Sequence, residues 1–295
     1  QQYKDEYVKG DSNAWLLPDT VLPSGLTAKE ENDACRALKG SMLRQEIYAI
    51  DESEQSKNPY QITESNYEVK RLQPMQNFPH AVFFTHDRET LNYYYERNPD
   101  DPRINHNMVL EVDNYGNLKK TAEIGYPRRA SDGPYPTEQS RPLILYKERN
   151  YFNQEDGGIY WYRAGVPTET KNFELTLAVF QEEYRKFEIN EINNFLNDQN
   201  LEEISYEEIS GYHNPQIRCI EHNRIIYYED NLEGPLPLNH VESLAIPYEN
   251  YTLVFTPGLL EHIFGTRIDE SLLINEGQYR KGATLKSQGI FPEDD

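Results

Sequence analysis

A pair of alternating segments around a short polar turn is the feature that most constrains how this chain can fold. Apolar and polar side chains alternate through residues 108–112 and again through residues 118–124. Between them lies the sequence Asp-Asn-Tyr-Gly-Asn, residues 113–117. An Asp side chain can accept hydrogen bonds from its own backbone, and Gly can adopt the positive φ angle that such loops need. Residues 108–124 are therefore predicted to form an antiparallel β-hairpin.

The same periodicity predicts most of the remaining elements. Further strands are expected at residues 45–50, 67–72, 81–86, 90–96, 143–151, 158–163, 217–228 and 251–255. Helices are expected at 28–38, after a capping-box pattern of Thr27 and Glu30, at about 179–197, and at 258–264, between Pro257 and Gly265. About ten strands and a few short peripheral helices predict a mainly β fold, a long antiparallel sheet of hairpins. Helices do not alternate with strands, so a βαβ arrangement does not fit.

The composition indicates a globular protein that avoids polyanions. The 295 residues include 23 Tyr and 11 Phe, which pack well on a pleated sheet. With 50 acidic and 29 basic residues, the net charge is −21. A surface this negative repels phosphate backbones and anionic lipids, so no nucleic-acid partner is expected. No apolar run is long enough to cross a membrane, so no membrane insertion is expected either.

Candidate metal and cofactor ligands are scattered. Cys35 and Cys219 lie far apart without a CxxC pair, and we expect two buried free thiols. His80 and His86 would lie about 20 Å apart along one strand, which is too far to share a metal ion. No HExxH, GxxxxGK or GxGxxG motif is present. No metal and no cofactor are therefore predicted.

Catalytic motifs are equally poor. A GxSxG motif is missing, and paired carboxylates are expected by chance among 50 acids. Glu52-Ser53-Glu54 lies in a polar turn and is interpreted as a solvated loop. Alternation places Tyr93 and Tyr95 on one face of a strand, where core packing is favoured over a sugar-stacking platform. No catalytic, cofactor-binding or metal-binding residue is predicted.

Four stretches carry a resemblance to a known family. They are residues 35–51 (CRALKGSMLRQEIYAID), 80–106, 110–117 (LEVDNYGN) and 224–265. Together they closely resemble the central-to-late part of the B component of bacterial insecticidal toxin complexes, the Tc toxins. They are also similar to B-type plasmid virulence proteins. The resemblance covers about residues 17–125 and 217–265 and is much weaker between them.

The resemblance implies a structural role. In this family the B and C components build a hollow casing from a spiralling antiparallel sheet of RHS (YD-type) hairpins. The casing encloses a toxin cargo and passes it through a β-propeller gate to the pore-forming A component. Residues 113–118 look like one loose YD repeat. The C component and its cargo are therefore the implied partners, with the A component contacted through other parts of the same chain.

Four parts and a location follow from this interpretation. We expect an irregular lead-in (1–30), a β-hairpin shell segment (31–125), a variable insert with strands and a helix (126–216), and a shell segment with short C-terminal helices (217–295). The chain begins with Gln, and we expect a piece of a longer protein; trimming of a signal or tag is the alternative. The implied location is secreted, and cytoplasmic before release.

Two alternatives to a non-enzymatic shell segment make different structural predictions. A carbohydrate-active enzyme would need a cleft with two carboxylates about 5–10 Å apart, one of them with a raised pKa. A glycan-binding β-protein would need an exposed aromatic patch in place of buried Tyr93 and Tyr95.

Overall fold

A computed structural model describes residues 15–129, 137–154, 161–177, 185–211, 214–268 and 270–292. Within these residues the strands are β1 (Arg44–Ile47), β2 (Gln61–Gln73), β3 (Val82–Tyr94), β4 (Arg103–Val112), β5 (Leu118–Gly125), β6 (Leu143–Phe152), β7 (Val166–Thr176), β8 (Glu202–Ile204), β9 (Gln216–Tyr227) and β10 (Pro247–Thr252). The α-helices are α1 (Ala28–Ala37), α2 (Ile189–Leu196), α3 (Pro257–Phe264), α4 (Glu270–Asn275) and α5 (Gly282–Ser287). None of the helices in this described part has the length and apolarity needed to span a bilayer.

The described strands form one sheet in which most sequence neighbours are also spatial neighbours. The order is β1-β2-β3-β4-β5-β6-β7-β9-β10, and β8 pairs with β9 in parallel. The pairs β1–β2, β2–β3, β3–β4, β7–β9 and β9–β10 are antiparallel. The predicted fold, a mainly antiparallel sheet of hairpins with a few short helices, is confirmed.

The chain divides into two compact units. Unit 1 comprises residues 1–110, 121–144 and 179–199, and unit 2 comprises residues 111–120, 145–178 and 200–295. Each unit buries its own apolar core. The four-part division expected from the sequence stays a prediction.

The core of unit 1 lies on one face of strands β2 to β6. Its fully buried apolar side chains come from adjacent strands: Ile62, Leu91, Ile104, Met108, Ile124 and Ile144. Each such side chain stabilises the fold by roughly 1.5–3 kcal/mol when removed from water. Tyr93 and Tyr95 are buried with stacked rings 6.0 Å apart, as predicted. The exposed aromatic patch that a glycan-binding protein would need at these two residues is not formed.

Helix α1 begins where the capping box predicts. The Glu30 carboxylate accepts a hydrogen bond from the Thr27 amide (3.0 Å), and the Thr27 hydroxyl accepts one from the Glu30 amide (3.3 Å). Glu30 also accepts from the Met75 amide just after β2, which ties the helix to the sheet. The hydrogen bonds from the Thr27 and Met75 amides lower the pKa of Glu30 to about 2.

The core of unit 2 combines the β7–β9 pair with the C-terminal segment. A cluster of Ile226, Leu238, Leu285 and Ile290 brings α5 against β9. Tyr251 on β10 and Phe291 pack edge to face at 5.4 Å. Helix α3 begins at Pro257 and ends at Gly265 with φ 52°, which confirms the predicted start and stop.

Several predicted boundaries are wrong. The segments expected at 81–86 and 90–96 are one strand, β3, because Glu89 between them is a buried strand residue rather than a turn. Strand β2 begins at Gln61, six residues before the prediction. Strand β1 ends at Ile47, and β10 ends at Thr252 instead of continuing to residue 255.

The region after β6 departs most from prediction. Of the strand expected at 158–163, residues 161–163 are not in a strand, and the rest lie outside the described residues. Of the helix expected at 179–197, residues 178–184 lie outside the described residues, and α2 begins only at Ile189. Cys35 and Cys219 are free, as predicted, but Cys35 is exposed and Cys219 is half-buried, so their expected burial is wrong.

Candidate functional site

Strand β1 stands at one end of the order of described strands. The Ser65 amide donates to the Leu43 carbonyl (2.9 Å), so Leu43 faces β2 through its backbone. Leu43 is 61% exposed and Ile50 is completely exposed.

The opposite edge of the sheet is β10. It pairs with β9 through a register shift between Pro247 and Glu249. Proline lacks an amide donor, so its place in an edge strand costs no ladder hydrogen bond. Among the described strands, β10 pairs only with β9, so its outer edge is a template for a further strand.

One pair of carboxylates tests the enzyme hypothesis. Arg44 contacts Glu46 at 2.8 Å and Glu64 at 3.7 Å. Burial raises the pKa of Glu64, while Arg44 and Lys186 oppose that rise. An arginine between two carboxylates favours the ionised form of both, whereas a general acid must hold its proton. The raised pKa of Glu64 is a feature that glycosidase sites share, but Arg44 between the two carboxylates opposes the role of general acid.

The histidines proposed as candidate ligands lie in separate contacts. The His80 ring lies 3.1 Å from Asp33, and His86 lies 3.8 Å from Glu68. Across the described ranges, no group of three or more His, Cys, Asp or Glu side chains could hold a metal ion.

A buried chain of ionisable groups crosses unit 1. Glu89 on β3, His106 on β4 and Tyr126 after β5 are 1%, 0% and 7% exposed. His106 Nε2 lies 3.4 Å from Glu89 Oε2, and His106 Nδ1 lies 3.1 Å from the Tyr126 hydroxyl. Burial lowers the pKa of His106, against the opposing effect of Glu89. Burial alone would raise the pKa of Glu89, but the nearby His106 ring and the hydrogen bond from Asn66 lower it.

This chain is incompletely satisfied. Glu89 Oε1 accepts from Asn66 (3.1 Å) and Arg88 (2.9 Å), but Glu89 Oε2 has only the long contact to His106. Among the described buried atoms without a hydrogen bond are Asn66 Oδ1, Glu89 Oε2 and His106 Nε2. A buried polar atom without a good partner costs roughly 1–3 kcal/mol. The three atoms make this the least compensated polar region described in unit 1.

A second buried carboxylate, in unit 2, is fully compensated. Glu169 on β7 accepts hydrogen bonds from His222 (2.7 Å), Arg224 (2.9 Å) and Asn150 (2.9 Å). Burial would raise the pKa of Glu169, but the bonds from His222 and Arg224 lower it to about 2. The Arg224 guanidinium also lies over the Phe291 ring at 4.4 Å.

The predicted hairpin turn is held by Asp113. Its carboxylate accepts from the amides of Tyr115 and Asn117 (2.9 Å each), and Gly116 has φ 89° as predicted. The Asn153 side chain also donates to Asp113 (2.9 Å), which links this turn to the segment after β6. All of these partners donate to the Asp113 carboxylate, so this side chain holds the turn together.

The sequence patterns considered above singled out none of His106, Tyr126 and Glu169. A signal was present: His106 shares the inward phase of Ile104 and Met108, and Glu89 shares that of Leu91. A polar residue in an apolar phase marks a buried group that needs a partner.

The fold and these contacts define a class of protein. The described residues form a mainly antiparallel β-sheet with a few short helices, in which most strands follow one another in sequence, and they hold no metal cluster.

A family model matches part of the chain. The matched residues are 33–160, and the model is described as the insecticide toxin TcdB middle/C-terminal region. The resemblance to the B component of Tc toxins is confirmed. None of the curated proteins matches the chain.

Solved structures of Tc toxin assemblies share the fold. The TcdB2–TccC3 structure without the hypervariable C-terminal region is 23% identical with a TM-score of 0.66, and 94% of this chain is covered. The TcdB2–TccC3–Cdc42 structure is 23% identical with a TM-score of 0.63 over 86% of this chain. The Photorhabdus luminescens Tc holotoxin pore, in a TccC3 mutant form, is 21% identical with a TM-score of 0.67 over 94% of this chain. This chain spans only 12–13% of those chains.

Proposed function

We propose that this chain forms part of the wall of a hollow β-shell that encloses and delivers a toxin cargo, and that it has no enzymatic activity of its own. The single observation that carries the proposal is the sheet order, in which most strands follow one another in sequence from β1 to β10. The match of residues 33–160 to the TcdB family supports the same role.

Containment needs backbone pairing rather than side-chain chemistry. Each paired strand satisfies its amide and carbonyl groups and leaves no gap wide enough for a protease between neighbours about 4.8 Å apart. The outer edge of β10 would be satisfied by a strand from another part of the same protein. A wall of this kind keeps a loosely packed cargo away from solvent proteases.

The partners follow from the same proposal. The C component and its cargo would lie against the shell, and the pore-forming A component would be contacted through other parts of the protein. The similar structures are of TcdB2 with TccC3 and of a Tc holotoxin pore, which supports this choice. The protein would act as a secreted toxin component after a cytoplasmic stage.

The outer edge of β10 offers a sharp test. The Leu253 amide donates to the His222 carbonyl (2.9 Å), and pairing alternates along antiparallel strands, so the backbone N–H of Asn250 points away from β9. Asn250→Pro removes this N–H and blocks a further strand while the β9–β10 pairing is kept. Asn250→Ala is the matched control, because it removes the side chain but keeps the N–H. Both variants are made in the full-length B-type protein and co-purified with its C component.

The measurement is the rate at which an external protease degrades the cargo. We expect faster degradation, or failed assembly, for Asn250→Pro and wild-type protection for Asn250→Ala. Equal protection in the two variants would contradict the proposed role of β10 as a paired wall strand. Hydrolysis of a polysaccharide by the purified protein would contradict the proposed lack of activity.

A further inference from the structure

The Tyr126 hydroxyl and apolar packing both help to attach the segment that contains α2 to the sheet of unit 1. The Phe187 amide donates to the Tyr126 hydroxyl oxygen at 2.7 Å. The rings of Tyr126 and Phe187 are stacked at 6.0 Å, and Ile192 of α2 is fully buried. The backbone at residue 187 is therefore held by the same hydroxyl that contacts His106.

This geometry assigns the proton positions in the buried chain. Because the Tyr126 oxygen accepts from the Phe187 amide, its own proton is placed to be donated to His106 Nδ1. His106 then carries its proton on Nε2, which faces Glu89 Oε2 at 3.4 Å. The hydrogen-bond network thus assigns a neutral His106 between a tyrosine donor and an ionised glutamate.

Protonation of His106 conflicts with this arrangement. A second proton, on Nδ1, would point at the Tyr126 oxygen that already accepts from the Phe187 amide. The Tyr126 proton would then have to turn to another acceptor, and the bond to the Phe187 amide would compete with a charged donor. This competition weakens the hydrogen bond between the Phe187 amide and the Tyr126 hydroxyl, which helps to hold residues 185–199.

Some charged groups around His106 raise its pKa and others lower it. On β3, Glu89 favours the imidazolium, and Arg88 contacts Glu89. In the segment that precedes α2, Lys186 opposes the imidazolium and Glu188 favours it. On β2, the uncharged side chain of Asn66 donates to Glu89. On α2, the charge of Glu191 raises the pKa of Tyr126. Burial is the largest effect and keeps the ring neutral near pH 7.

We propose that Glu89, His106 and Tyr126 form an acid-sensitive latch that holds residues 185–199 on the sheet of unit 1 and loosens when His106 takes up a proton. The latch opens as the pH falls, because the loosened state binds the proton more tightly than the closed state. With an unperturbed histidine pKa of about 6.5 in the loosened state, opening between pH 7.5 and 5.0 increases by up to about 30-fold.

Hydrogen exchange with mass spectrometry on the intact protein tests the latch. Protection of residues 185–199, corrected for intrinsic exchange at each pH, should fall as the pH drops below about 6.5. Residues 143–152 of β6 serve as an internal reference that should stay constant. His106→Gln should remove the pH dependence, because its amide can accept from Tyr126 and donate to Glu89 without titrating. His80→Gln is the matched control, since His80 is 61% exposed and contacts Asp33 instead.

Each possible outcome of these exchange measurements either supports or overturns the latch. Constant protection of residues 185–199 across this pH range overturns the latch, and so does an unchanged pH dependence in His106→Gln. If His106→Gln does not fold, the wild-type profile decides. A loss that begins near pH 6.5 and spares β6 supports the latch. A loss that begins only below about pH 4.5, where carboxylates titrate, overturns it.

Discussion

Two buried glutamates, each beside a histidine on a neighbouring strand, have very different sets of hydrogen-bond donors. In unit 2, Glu169 receives short hydrogen bonds from His222, Arg224 and Asn150. In unit 1, Glu89 is more deeply buried, yet one of its oxygens has only a 3.4 Å contact with His106. The first carboxylate has an arginine within its own buried cluster, whereas Arg88, which contacts Glu89, is 22% exposed in its side chain.

The comparison teaches that burial alone does not decide how a carboxylate responds to acid. A carboxylate with a full set of donors keeps its charge far below the usual pKa, so its surroundings are insensitive to mild acid. A carboxylate that shares its site with a neutral histidine leaves the histidine as the group that titrates first. Mild acid should therefore loosen the surroundings of Glu89 in unit 1 before it neutralises Glu169 in unit 2.

The largest expected effect comes from removing the arginine. Arg224→Ala should destabilise the β7–β9 region by about 3–5 kcal/mol, because it leaves the Glu169 charge buried with one fewer partner. It also removes the contact with Phe291, which packs against the core of unit 2. Local stability can be measured by hydrogen exchange of residues 166–176 and 216–227.

Two variants serve as controls for this prediction. Arg224→Lys keeps a positive charge near Glu169 and should lose less stability than Arg224→Ala. In unit 1, Arg88→Ala should cost only about 1 kcal/mol, because a partly exposed ion pair is screened by water. A loss below 1 kcal/mol for Arg224→Ala would break the comparison.

Acid should neutralise Glu169 in unit 2 only at low pH. The pKa of Glu169 is about 2 in the folded protein, below the ordinary value of 4.5. A lowered pKa means that the unfolded state binds the proton more tightly, so the contribution of Glu169 is complete above pH 4.5 and is lost between about 4.5 and 2. The whole contribution is on the order of 3 kcal/mol. Exchange in β7 that already rises at pH 6 would contradict this expectation.

The sequence predicted elements whose signals are local. The hairpin turn held by Asp113 and Gly116, the cap of α1 and the ends of α3 depend on residues a few positions apart. The break predicted inside β3 was wrong because Asp87, Arg88 and Glu89 look like a turn in sequence. Glu89 is tolerated there by contacts with Asn66 and His106, which are distant in sequence.

The buried chain could be found only in part. Its phase is visible, since His106 lies on the inward side of an otherwise apolar strand. Its partners are not, because Tyr126 and Phe187 are 61 residues apart and the register between strands sets which side chains meet. Periodicity can therefore mark a buried polar residue, but only the pairing shows what compensates it.

A smaller effect is expected for the tyrosine hydroxyl. Tyr126→Phe leaves the buried Phe187 amide without its acceptor and should destabilise the attachment of residues 185–199 by about 1–3 kcal/mol. Tyr227→Phe is the matched variant in unit 2, where the hydroxyl donates to the Pro167 carbonyl at 2.7 Å. We expect Tyr227→Phe to affect β7 and β9 and to leave residues 185–199 unchanged. Exchange mapping that shows the same pattern for both variants would argue against a local role for Tyr126.

The smallest effect is expected for Glu89→Gln. Its amide can offer oxygen to His106 and NH₂ to Asn66 Oδ1, which has no hydrogen-bond partner in the structure. Replacing a weakly compensated buried charge by a neutral group of the same shape should change stability by at most about 1 kcal/mol. Glu169→Gln weakens hydrogen bonds to a charged acceptor and should cost more, about 1.5–3 kcal/mol. Equal losses of exchange protection around the two positions would mean that the two carboxylates are equally compensated, against the distances that distinguish them.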